Sequence, residues 1–169
     1  MKKNILLKFT CLVVLLSSCS EQPTCSEKKT KATAQEIAEE SILTEIAYDE
    51  FINVYVYQKG GNLIENLAKI NRTSVDNVLE TLKKEIRKEI RTYDSDSTIY
   101  TKHITTARKK LNELSPEIVN IRLLKKEDEL KKCTCEAELK LKNGNTVNLL
   151  YSAQLNENNE TFVELQIVK

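Results

Sequence analysis

The chemistry this sequence could carry is concentrated in sulfur. Its cysteines are Cys11, Cys19, Cys25, Cys133 and Cys135, set against a single histidine, His103. Cys133-Thr134-Cys135 is a C-x-C pair, a spacing compatible with metal ligation, dithiol redox chemistry or disulfide bonding. A structural zinc site needs four ligands, and His103 is far from the pair in sequence. His103 has Lys102 and Ile104 beside it and no base–nucleophile arrangement around it. No glycine-rich loop is present to cradle a phosphate. No catalytic residue, metal set or cofactor site is therefore assigned, and the chain is expected not to be an enzyme. On a strand, the two cysteines of a C-x-C face the same side. Their Cα atoms would lie roughly 6.5–7 Å apart, at the limit of disulfide geometry. They are expected not to bond each other. Cys25 is the expected partner, with Cys135 ahead of Cys133 and the choice between them open. Such a bond would close a loop of about 110 residues, worth about 2–5 kcal/mol.

The elements that position these residues begin with the first twenty, MKKNILLKFTCLVVLLSSCS. Lys2, Lys3 and Lys8 make a positive flank, and Phe9 to Leu16 is an apolar core. That pattern is a secretory signal, too short for the roughly 20 apolar residues of a bilayer-spanning helix. Leu16-Ser17-Ser18-Cys19 resembles the lipobox of bacterial lipoproteins. The resemblance implies a signal peptide over 1–18, cleaved before Cys19. It also implies a diacylglyceryl thioether on Cys19 and an acylated new amino terminus. Several acyl chains on one residue would hold it firmly, at about 0.8 kcal/mol per buried methylene. The residue after the cysteine is Ser20 rather than Asp. In a diderm host this favours the outer membrane over the inner one. The expected location is thus the bacterial cell envelope, with Cys11 lost and three cysteines left where disulfides are permitted.

The formal charge of +1 includes Lys2, Lys3 and Lys8; without those three lysines it is −2. Such a near-neutral body has no basic footprint for nucleic acid, and no nucleic-acid partner is expected. Residues 19–32 read as a polar, lipidated tether and 33–169 as one domain, with helices over about 33–114 and a sheet over about 117–168.

Ala34, Ile37, Ala38, Ile42, Ile46 and Ala47 fall at helical spacing, predicting a first helix to about Tyr48. Phe51 to Tyr57 is β-branched and aromatic and reads as a short strand before Gly60-Gly61. A short helix follows over about 62–71. Thr73 or Ser74 can cap the next one, whose stripe is Val75, Val78, Leu79, Leu82, Ile86 and Ile90. Its other face, Lys83 to Arg91, reads as solvated charge. Tyr93 to Ser97 contains a D-x-D, but the glycine and distal glutamate of a calcium loop are missing, so it reads as a plain loop. A further helix is expected from about Thr105 to Leu114.

After Pro116 the period becomes two. Ile118–Leu124 is the first strand. In the second, Cys133, Cys135, Ala137, Leu139 and Leu141 point one way. The third alternates from Val147 to Leu155, and the fourth through Val163, Leu165 and Ile167. The fold class is α+β, with N-terminal helices packed on a C-terminal four-stranded antiparallel meander. Parity excludes a two-residue Asn143-Gly144 hairpin, because it would pair opposite faces. A loop Asn143-Gly144-Asn145, pairing Leu141 with Val147, is expected, or a bulge beside it. Leu155 should oppose Thr161.

Two further resemblances bear on function. Cys25-Ser26-Glu27-Lys28-Lys29-Thr30 and Cys135-Glu136-Ala137-Glu138-Leu139 are similar to segments of small uncharacterised bacterial envelope lipoproteins, a resemblance that implies no activity. Gly61 to Leu79 resembles the helix-turn-helix core of a peptidoglycan-binding LysM repeat, although the closing strand is replaced by the charged helix after Leu82. The same stretch also fits a DNA-binding helix-turn-helix, which an exported protein could not use. The expected function is a membrane-anchored, non-catalytic binding protein with an envelope protein as partner. The alternative is a cell-wall-binding module.

Overall fold

The computed structural model describes residues 22–54, 63–92, 99–158 and 160–168. Four helices precede a four-stranded sheet: α1 (Lys28–Ile52), α2 (Leu63–Ile70), α3 (Val75–Thr92) and α4 (Thr101–Leu114), then β1 (Glu117–Glu127), β2 (Lys132–Lys140), β3 (Thr146–Leu155) and β4 (Thr161–Val168). The sheet is an antiparallel meander of order β1-β2-β3-β4. The fold is α+β, as the change of period at Pro116 implies.

The organising element is α1, whose 25 residues span about 37 Å. Its two halves meet different partners. Thr30, Ala34 and Ala38, four apart and fully buried, lie on the sheet. Small side chains there let the helix approach the sheet closely, nearest to β4, over a core that includes Cys133, Cys135, Ala137 and Leu139. Further along, Leu43, Ala47 and Phe51 pack with Ile86 and Ile90 of α3 and Ile104, Ala107 and Leu111 of α4. Gln35 sits at the changeover: its amide donates to Pro116 O (2.7 Å) and accepts from Ile118 N (2.8 Å). Lys142 N also donates to Leu114 O at 2.7 Å, which ties the end of α4 to the β2–β3 hairpin. The helical lobe therefore joins the sheet at the end opposite the β1–β2 turn.

Helix boundaries depart from the expected ones where tertiary contacts outweigh local pattern. The helix begins at Lys28, not Thr33, and residues 22–32 are not a free tether. Pro23, Cys25 and Thr30 are buried against the sheet, which holds the polar first turn in place. At its other end α1 runs through Phe51 and Ile52. The expected strand from Phe51 thus starts as helix, because Phe51 packs into the helical core; its remainder falls at 55–57, outside the described residues, as does the D-x-D loop at 93–97. Helix α4 starts at Thr101, since Tyr100 and His103 pack on the Phe51 ring. The cap at Ser74 is present, its Oγ accepting from Asn77 N at 3.2 Å.

The charged face of α3 is not wholly solvated. Lys83, Arg87 and Arg91 recur every four residues and reach α1: Lys83 to Glu45 (2.8 Å), Arg91 to Glu40 (2.8 Å) and Arg87 to Glu40 (3.8 Å). Glu45, by accepting a hydrogen bond, raises the Lys83 pKa.

The β2–β3 register keeps the expected parity but is shifted by two residues. Leu139 pairs with Val147 and Ala137 with Leu149. The loop is Lys142-Asn143-Gly144, closed by Gly144 N donating to Leu141 O (2.9 Å) and Leu141 N to Asn145 O (2.8 Å). The cause is Gly144, whose φ of 89° suits the left-handed position after a type I turn. That places glycine last in the loop, not in its middle. Leu155 opposes Thr161, as expected.

Candidate functional site

The sheet's buried face carries the sulfur cluster. On β2, alternation turns Cys133 and Cys135 to the same side, where they are 1% and 0% exposed. Cys25 reaches them from the segment before α1. Cys25 and Cys135 are joined in a disulfide with Cα atoms 5.7 Å apart and a sequence separation of 110. Cys133 is a buried free thiol, its Sγ 3.8 Å from that of Cys135. Cys19 lies outside the described residues.

Two more side chains hold the N-terminal segment down. Tyr151, on β3 directly opposite Cys135, donates its hydroxyl to Cys25 O at 2.6 Å. Burial, with Cys133 nearby, pushes its phenol up to about 12. Gln22 donates its amide to Lys132 O at 3.0 Å and, more loosely, to Glu127 O at 3.4 Å. The chain is thus fixed to the sheet from Gln22 onward. Neither contact was legible in the sequence. A tyrosine in an alternating strand shows its face but not its hydroxyl partner, and a glutamine in a polar stretch gives no signal.

Chemically, the cluster is built for holding. All three sulfurs lie within 4.8 Å of one another, a soft-metal spacing. With two of them bonded to each other, one thiol remains, which is no ligand set. Burial raises the Cys133 thiol pKa, so at neutral pH it stays protonated and a poor nucleophile toward the neighbouring disulfide. A cavity of about 210 Å³ opens beside it, lined by Pro23, Cys25, Ile121, Leu123, Lys126 and Cys133. That is smaller than the roughly 300–1,000 Å³ of ordinary small-molecule sites. His103 is on α4, its ring edge-on to Phe51 with centroids 5.6 Å apart, and burial lowers its pKa. It packs with the helical core, apart from the sulfur cluster on the sheet.

The LysM-like stretch forms a helix pair. Helix α2 ends with Thr73 N donating to Ala68 O (2.9 Å) and Arg72 N to Lys69 O (3.2 Å), with Arg72 at a φ of 50°. This is the geometry that usually recruits glycine. Around the turn, Ile70 (76%) and Val75 (40%) are exposed, and Leu63 (40%) is exposed at the opposite end of α2. Among the described residues no helix is long and apolar enough to cross a membrane. No protein-family model matches this chain, and neither a curated protein nor a solved structure matches it.

Proposed function

We propose that this chain is a lipid-anchored protein of the bacterial envelope that acts by binding, with another envelope protein as its partner. The observation that supports it best is the buried Cys25–Cys135 disulfide, six positions past Cys19. Disulfides of this kind persist in oxidising compartments and are rare in the cytosol. The bond also ties the lipid-bearing end directly to the sheet, so the domain is held close to the bilayer. The helical lobe, joined at the far end of the sheet, is then the part presented to a partner. Crosslinking in intact cells tests this. A specific envelope protein should be recovered with the full chain but not with a lipidated tether alone. Recovery of the same proteins with both would count against a binding role.

Cell-wall binding is the second reading, supported by the exposed Ile70 and Val75 around the α2–α3 turn. The soluble domain should then sediment with purified peptidoglycan, and Ile70→Asp should abolish it. A domain that stays in the supernatant removes this reading.

A further inference from the structure

We propose that the β1–β2 turn is the membrane-contacting end of the molecule, with Leu130 entering the phospholipid interface. This rests on the anchoring at Cys19 proposed above. Between Cys19 and Gln22 there are two residues, Ser20 and Glu21. At full extension that stretch reaches about 10–11 Å. Gln22 is bonded to the carbonyls of Glu127 and Lys132, the residues that close the β1–β2 turn. A lipid on Cys19 therefore holds this turn within about one chain reach of the headgroups.

The turn presents suitable chemistry. Leu130 is at its tip and 54% exposed. Phe162, 60% exposed, lies in the last row of the same sheet end, paired with Gln154, which pairs with Lys132. Charges around the turn nearly cancel, with Lys125, Lys126, Lys131 and Lys132 set against Glu127, Asp128 and Glu129; Lys125 pairs with Glu127 (3.0 Å) and Lys126 with Asp128 (2.9 Å). Contact is thus mainly apolar, unlike that of a polybasic surface, which salt would release. At the other end, α2 carries Ile70 on the helical lobe, away from the bilayer.

The chain has no tryptophan, so one introduced residue reports alone. Leu130→Trp and Ile70→Trp, each in the full lipidated chain, would be placed in phosphatidylethanolamine–phosphatidylglycerol vesicles containing acyl-brominated lipid. The intact mass of each sample establishes lipidation. Leu130→Trp should lose emission to the bromine and shift to the blue, with no recovery in high salt, and Ile70→Trp should do neither. A lipidated, vesicle-bound Leu130→Trp protein with unquenched emission overturns the orientation and leaves the anchoring intact. Equal quenching at Ile70→Trp also overturns it. A mass without lipid removes the anchoring, and this orientation with it.

Discussion

Tyr151 links the two chemical features of the site, the staple and the core. Its phenol ionises at about 12 in the fold against 10.0 for the free group. Between those values the unfolded chain has lost a proton that the folded chain keeps, so stability falls as pH rises through the window. A spectrophotometric titration should show one phenolate forming only near pH 12 or together with unfolding. A phenolate step near 10 in the folded protein that Tyr151→Phe removes would contradict the burial of this phenol beside Cys133. Removing the staple by Cys25→Ser should cost about 2–5 kcal/mol, while Cys133→Ser should cost less because it breaks no bond. Urea unfolding of both variants checks this; equal losses would mean that the 25–135 bond is not what stabilises the segment. At this scale the cysteines were legible because alternation on β2 settles which face they share. The Tyr151 contact was not, since its two partners are 126 positions apart and leave no local pattern.

Helices and strands were readable from period, and their ends and register less so. In β2 and β3 the apolar set occupies alternate positions, which fixes parity; nothing in alternation distinguishes a register from one two residues away. Gly144 decides it through backbone conformation. Gly144→Ala should cost about 1–2 kcal/mol, the strain of a left-handed L-residue, because a Cβ there meets nothing within 4 Å. A thermal melt unchanged by the substitution would show that the loop can re-form in another register. The small residues of α1 mark its contact with the sheet. Ala38→Leu, at a fully buried position in the core between α1 and the sheet, should destabilise by about 1–3 kcal/mol by overpacking. The same change at the exposed Glu36 should be nearly neutral. The start of α1 was missed because Lys28 to Thr30 has no apolar period; its helix is held by Cys25 before it and Thr30 within it.

At the scale of the molecule, one helix joins two bodies. Its first half covers the sheet, and its second half gathers α3 and α4 into a lobe at the sheet's far end. Sequence could place helices before strands, but not that the sheet is covered by α1 while the others build on that helix, because amphipathic stripes do not name their partners. The resulting molecule has a stapled foot, where the chain leads back toward Cys19, and a helical head. The intact mass of the protein purified from membranes, taken with and without reductant, tests the central claim most directly. A chain starting at Cys19 and carrying acyl groups, which gains two hydrogen atoms on reduction, is the expected result. An unprocessed chain from Met1 with free thiols and no lipid would contradict it and return the protein to a compartment where neither anchor nor staple could form.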